Sequence, residues 1–419
     1  MKNFKIMMIA LVAMLGFSSC SEDCDHEFIE VDYSKALVGT WTLLSEGFAE
    51  AWVVKADGSV EVTGVLDGEY YETKGTVKVK NNKMSYKFDN GDQFEGILEI
   101  IPGKCFSLVY ESDYQSEDRV IYQYCENDLA DKVVGMWVCN ATPSAEENDM
   151  LIMTYKADGT TSFTGYFYEA DDFGANMEAS YKVVGDLLIH KQPDVALEMG
   201  LVQYTAMKMI YTPNATALGD AMSLKAYAKV GENSVETNTS WLRVKQSLNL
   251  TNKSYDYNNL YLSNVKGKDQ DINFWGYTMN LATMDGTGLD KMLKAILFHI
   301  EFPNANTISY TYTMGNNQES FSAPIVVEGN KLTVKMSDKV STLKDIVYYA
   351  YQDADDSQMH LYMHRSAFVN FYTNMQALLL EGTDAQFDIT NAEAIKAIYN
   401  NINDVVQSIN LSIVMKARN

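Results

Sequence analysis

Proline, cysteine, histidine and positive charge are all scarce in this chain. Six prolines among 419 residues leave little for proline-rich linkers, whereas 27 tyrosines suit pleated strands. Lys and Arg number 33 against 56 Asp and Glu. No basic cluster relieves that excess, so the field repels phosphate backbones and argues against a nucleic-acid partner. The longest apolar run near the start, Ile6 to Phe17, is 12 residues. A membrane-crossing helix needs roughly 20, so this run is not a permanent span. The five cysteines include no Cys-x-x-Cys pair, which argues against a zinc or thioredoxin-type centre. Gly-x-Ser-x-Gly is missing as well. Ser263 with Lys266, and Ser341 with Lys344, match Ser-x-x-Lys but lack the companion motifs of penicillin-recognising enzymes.

What is present begins with an address. Lys2 and Lys5, the apolar run and Ser18-Ser19-Cys20 have the three-part layout of a secretory signal. The segment LGFSSC, residues 15–20, resembles a bacterial lipobox. That resemblance implies lipidation of Cys20 and a membrane anchor at the mature N-terminus; ordinary cleavage to a soluble periplasmic protein is the alternative. Ser21-Glu22-Asp23-Cys24-Asp25-His26-Glu27 resembles the acidic export signal that carries some Bacteroidetes lipoproteins to the cell surface. The expectation is an outer membrane lipoprotein at the cell surface, with a periplasm-facing placement as the alternative. Loss of Lys2 and Lys5 with the signal leaves 31 basic against 56 acidic residues, a net charge of −25.

Two segments repeat each other. VGTW at 38–41 and KADGSVEVTG at 55–64 recur as VGMW at 134–137 and KADGTTSFTG at 156–165, at offsets of 96 and 101 residues. Such a period suits a duplicated domain and is too long for a propeller blade. Asp57-Gly58 and Asp158-Gly159 are expected to supply the positive φ angles of tight two-residue hairpins. Further hairpins are expected at Asn81-Asn82 and Gly185-Asp186.

Gly-x-Trp on a first strand, then a hairpin with Asp-Gly and a meander of short strands, resembles the lipocalin-like (calycin-like) domains of Bacteroidetes lipoproteins of unknown function. The resemblance spans residues 35 to about 230 in two copies. It implies that Trp41 and Trp137 plug one end of each barrel as packed core aromatics. The remaining segment mixes strands with helices and suggests a third, divergent barrel, with a turn at Glu328-Gly329-Asn330. The expected fold is mainly β: tandem lipocalin-like antiparallel β-barrel or meander domains, the C-terminal one with inserted α-helices. The chain then divides into a signal peptide 1–19, an acidic tether 20–33, domains at 34–128 and 129–231, and a C-terminal domain at 232–419.

Helices follow from spacing. Phe368, Phe371, Tyr372, Met375, Leu378 and Leu379 recur at helical intervals before Gly382, a candidate C-terminal cap. Ile395, Ile398, Ile402, Val405, Val406 and Ile409 do so after Thr390, with Glu393 completing a capping box. Another helix is expected from about Leu289 to Ile300.

Candidate chemistry is sparse. Cys105 and Cys125 would face each other if KCFSLVY and RVIYQYC pair symmetrically, and could then form a disulfide; buried thiols are the alternative. His360 and His364 have a four-residue spacing, yet QMHLYMH alternates as a strand and would hold them about 13 Å apart. Asp353, Asp355 and Asp356 read as a solvated turn, and Gly286-Thr287-Gly288 as a turn and cap. No metal or cofactor is implied. Tyr255, Tyr257, Tyr261, Trp275, Tyr277, Tyr310 and Tyr312 concentrate in the last segment, where exposed rings could stack on sugars and buried ones would be core. The expected role is non-catalytic binding of a small apolar ligand, a glycan, or an envelope or host protein. Alternatives are an accessory subunit of an envelope complex, or a hydrolase with dispersed carboxylates.

Overall fold

The computed structural model describes residues 32–109, 120–139, 151–167, 172–173, 177–192, 202–216, 219–230, 233–245, 247–274, 277–282, 287–314, 317–353 and 355–418. The signal segment, Cys20, Cys24, nearly all of the tether and Trp275 lie outside these residues.

Alternation of apolar and polar residues closes the first part of the chain on itself. Eight strands run from Gly39–Ser45 to Ile121–Cys125, each bonded to the next, and the last returns to the first through Thr40↔Cys125. Inward residues such as Trp41, Trp52, Val62, Met84, Leu98 and Phe106 fill the interior. The second barrel repeats the plan. Its eight strands start at Gly135–Cys139, end at Asn233–Val244 and close through Trp241↔Cys139, while Asp172–Phe173 is a short strand added to Thr160–Phe167. The third barrel starts at Lys253–Gly267 and closes on Val406–Ala417. Between its first two strands lie the hairpin Asp271–Phe274 with Tyr277–Asn280 and the helix Thr287–Ala295. Helices Arg365–Thr383 and Ala392–Val405 separate its last two strands. Three closed eight-stranded antiparallel meanders make the chain a mainly β protein of calycin-like architecture.

The duplicated motifs have duplicated structures. A short helix precedes each Gly-x-Trp, and the indole N–H donates to a carbonyl four residues back: Trp41 to Leu37 at 2.8 Å and Trp137 to Val133 at 2.7 Å. Gly39 and Gly135, with φ of 143° and 140°, make the entry into the strand that a side chain would resist. Both tryptophans are fully buried.

Several expectations need correction. The second domain ends near Val244 and not at 231, because Asn233–Val244 pairs with both Gly219–Val230 and Gly135–Cys139. Its sequence, NSVETNTSWLRV, is polar from Asn233 to Ser240 apart from Val235, which hid the strand. The Asp-Gly turns are longer than two residues, since Val54 pairs with Val60 and Tyr155 with Thr161; only Gly58 and Gly159 take positive φ there, and Asp57 and Asp158 instead accept from the N–H groups of Ser59 and Thr160, both at 2.9 Å. The hairpins at Asn81-Asn82 and Gly185-Asp186 are as expected; the turn expected at Glu328-Gly329-Asn330 holds only Gly329 and Asn330, because Glu328 pairs with Lys331. Gly382 lies inside its helix, which runs on to Thr383, and the next helix is capped by Asn391 and not Thr390. Cys105 stands opposite Gln123, two residues short of Cys125, so the symmetrical pairing behind the disulfide does not occur. Cys125 is a thiol whose Sγ donates to the Asn127 carbonyl at 3.0 Å, and burial pushes it up to about 11.

The barrels also touch one another. Ala49, Ala51 and Val65 on the outside of the first pack on Leu187 and Ile189 of the second, and Tyr70 stacks on Tyr204. Met136, Val138, Ile152 and Val244 of the second meet Tyr351 and Tyr362 of the third.

Candidate functional site

Inside the first barrel sits the carboxylate of Glu50. On the strand Phe48–Val54, alternation puts Glu50 on the same side as Trp52 and Val54, both of which are core. Glu50 is 8% exposed. Three donors converge on it: the Trp52 indole at 2.6 Å and the Tyr122 hydroxyl at 2.5 Å on Oε2, and the Tyr71 hydroxyl at 2.7 Å on Oε1. An ionised carboxylate offers about four lone-pair directions, so capacity for a further donor remains. Burial raises the Glu50 carboxyl above its ordinary range, and the bonds from Tyr122, Trp52 and Tyr71 oppose that rise. Burial and the neighbouring carboxylate likewise push the Tyr71 and Tyr122 hydroxyls well above theirs.

Strand pairing builds the site. Glu50 lies opposite Gly64, and Gly64 opposite Tyr71, so the tyrosine reaches the carboxylate across a strand that lacks a side chain there. Aromatic rings surround the group: Trp52 meets Tyr86, Phe88, Phe106 and Tyr122 edge to face, with centroids between 5.3 and 6.1 Å. Leu43, Tyr71, Tyr86 and Leu108, all half-buried, continue this lining against the core. A carboxylate among aromatic faces can accept from a hydroxyl or ammonium group while the rings cover carbon. The sequence signal was Glu50-x-Trp52-x-Val54, an acid on the inward face of an otherwise apolar strand.

Of the aromatics named from sequence, the described side chains Tyr255, Tyr257, Tyr261, Tyr310 and Tyr312 are buried or half-buried. Tyr255, Tyr310 and Tyr312 are core residues of the third barrel. Gln352 donates to the Tyr255 hydroxyl at 2.7 Å, and the hydroxyls of Tyr310 and Tyr348 are 3.2 Å apart. Tyr257 is half-buried and donates to Asp290 at 2.7 Å; Tyr261 is also half-buried. Tyr277 pairs in the short hairpin, its side chain outside the described residues, as is Trp275.

The remaining polar residues singled out from sequence do not form a site with one another. His360 lies on the strand Gln358–Met363, whereas His364 begins the following helix and meets the Ser366 hydroxyl at 3.0 Å. Asp353 accepts from Ser357 and from the Gln358 N–H, both at 2.8 Å, within a turn. One constellation escaped sequence inspection: Ser254 Oγ is 3.2 Å from His299 Nε2, and His299 Nδ1 is 3.0 Å from Asp256. The same Nε2 is 3.0 Å from Glu301, so the ring bridges two carboxylates and presents Ser254 with no dedicated acceptor. Compared with known proteins, the chain matches no family model, and no curated protein matches it.

Proposed function

We propose that this chain is a lipoprotein anchored in the outer membrane through Cys20 and displayed at the cell surface, where its first barrel binds a small hydroxylated ligand of the glycan class without catalysis. The observation that supports the binding role is the Glu50 carboxylate, held inside an eight-stranded barrel among Trp52, Tyr71 and Tyr122. A hydroxyl donor could complete its coordination, and the surrounding rings suit the carbon face of a sugar. The lipobox-like LGFSSC and the acidic residues after Cys20 support the address. Use of His299 as a bridge between Asp256 and Glu301 favours binding over hydrolysis.

A thermal-shift panel of methyl glycosides and short oligosaccharides tests the role. Ligand at a hundred times its dissociation constant adds about 2.7 kcal/mol of stability. A raised Tm that Glu50→Gln abolishes is expected; a panel that leaves the melting temperature unmoved rejects the glycan reading. The anchor is tested separately, by loss of palmitate labelling in Cys20→Ser.

A further inference from the structure

The two duplicated barrels differ where their cores should agree. In the first, Val54 pairs with Val60 beyond the Asp-Gly turn; in the second, Tyr155 pairs with Thr161. The first also pairs Val77 with Tyr86, and the second Tyr181 with His190. These positions are equivalent because the N–H of Val77 bonds to the Gly58 carbonyl, and that of Tyr181 to the Gly159 carbonyl, each at 2.8 Å. The second copy therefore places a hydroxyl and an imidazole where the first has a valine and a half-buried tyrosine.

Each of these groups carries a buried atom left unpaired within the fold. Thr161 is 1% exposed and His190 7%, yet Thr161 Oγ1 and His190 Nε2 have no hydrogen-bond partner among the described residues. Both flank Tyr155: Thr161 is its cross-strand partner, and the His190 ring centroid is 5.4 Å from that of Tyr155. Thr161 shares the inward side with Tyr155, and His190 with Leu188, and both of those are core. Leaving a buried polar atom unpaired is costly, so two such atoms around one ring point to an occupant that pairs with them.

We propose that the interior of the second barrel is a separate binding site for a small neutral molecule with a polar end that both donates and accepts, an alcohol or primary amide. Charge selects this class. No acid or base among the described residues contacts the two orphaned atoms, and burial holds the His190 imidazole neutral, at about 4. A cation or an anion would enter without a counter-charge, which a buried site penalises heavily. Leu188 and Met209, with the partly buried Met153, Val183 and Met207, belong to the same core cluster as Tyr155 and offer apolar, adaptable contacts. The site differs in chemistry from that at Glu50 and does not depend on it.

The test uses the full mature chain and three probes of equal carbon length: 1-butanol, butylammonium and butyrate. Methyl signals of Met153, Met207, Met209 and Met222 and the ring signal of His190 are followed by nuclear magnetic resonance. For so small a ligand a Kd on the order of millimolar is expected. Butanol should shift these signals saturably while the two ions leave them in place, and Thr161→Val should weaken butanol roughly tenfold. Equal response to all three probes overturns the proposal, as does butanol binding unchanged in Thr161→Val. A crystal soaked in butanol that shows only an ordered water on Thr161 and His190 also overturns it. Should Thr161→Val not fold, the comparison of the three probes on the unaltered chain still decides.

Discussion

Tyr351 lies face to face with His360, their ring centroids 4.4 Å apart and their planes within 10° of parallel. The pair sits on the outside of the third barrel, where Tyr351 joins Met136, Val138, Ile152 and Val244 of the second. Neither His360 nitrogen has a hydrogen-bond partner among the described residues. Burial lowers His360 to about 4, and His190 inside the second barrel likewise to about 4. The unfolded chain takes up these protons near pH 6.5, so it binds more protons than the folded chain between the two values. Stability is therefore full above about pH 6.5 and declines as pH falls towards about 4, by at most about 3 kcal/mol for each ring. Urea titrations across this window should show the decline, and His360→Phe should make it shallower while preserving the stack. An unchanged slope in His360→Phe would show that its protonation is not coupled to folding.

Removal of the Glu50 side chain strands three donors at once. Glu50→Ala should destabilise the protein by about 3 kcal/mol or more, since the Trp52 indole and two tyrosyl hydroxyls lose their acceptor in a buried setting. Glu50→Gln retains one acceptor and should cost less. The pH effect of Glu50 has the opposite sign to that of the histidines: its raised carboxyl favours the neutral form, so its contribution is lost as pH rises through the folded value. Equilibrium unfolding of both variants at two pH values separates these effects.

Gly64 is the gap through which Tyr71 reaches the carboxylate. A Cβ there would come within 2.4 Å of Tyr71 Cζ and 2.7 Å of the Ala49 carbonyl oxygen. Gly64→Ala should cost about 1–3 kcal/mol by overpacking and displace the tyrosine, whereas Gly91→Ala, with open space around its Cβ, is limited to backbone strain at φ 92°. Chemical denaturation, together with the ring signals of Tyr71, measures both consequences.

Asn391 caps the last helix by accepting from the N–H groups of Glu393 and Ala394, at 3.1 and 3.3 Å. Asn391→Ala should cost about 1 kcal/mol, and Thr390→Ala should cost less, because the Thr390 hydroxyl donates to Asp388 and leaves the helix end alone. Urea midpoints for the two variants rank them; the reverse order would restore the capping role to Thr390.

Where local chemistry set the backbone, the fold was legible. Gly-x-Trp, the hairpins at Asn81-Asn82 and Gly185-Asp186 and the helical stripe of Phe368 to Leu379 each state their conformation within a few residues. The start of the third barrel shows the limit. Its first strand carries Tyr255 at the third position, where the others carry Trp41 and Trp137, and the hydroxyl is held by Gln352, 97 residues away. Gln352 also accepts from the N–H of Asn249 at 2.6 Å and donates to its carbonyl at 3.0 Å, a bridge that no local pattern announces. The site was hidden for a similar reason: Glu50 is one acid in an apolar run, and Tyr71 and Tyr122 join it only through cross-strand register. Tyrosine abundance reported strand content faithfully, but it could not separate Tyr310 in the core from a ring on the surface.

The helices inserted before Val406–Ala417 have a kinetic consequence. The strand that seals the third barrel meets its partner across a very long stretch of chain, as the Arg418 to Asp256 contact at a separation of 162 residues shows. Loop-closure entropy makes so distant a pairing slow relative to the hairpins, which zip locally. During folding the first two cylinders can finish while the third still waits, open-sided, for its last stave. Chaperone capture and proteolytic nicking should accordingly concentrate on that late-closing seam.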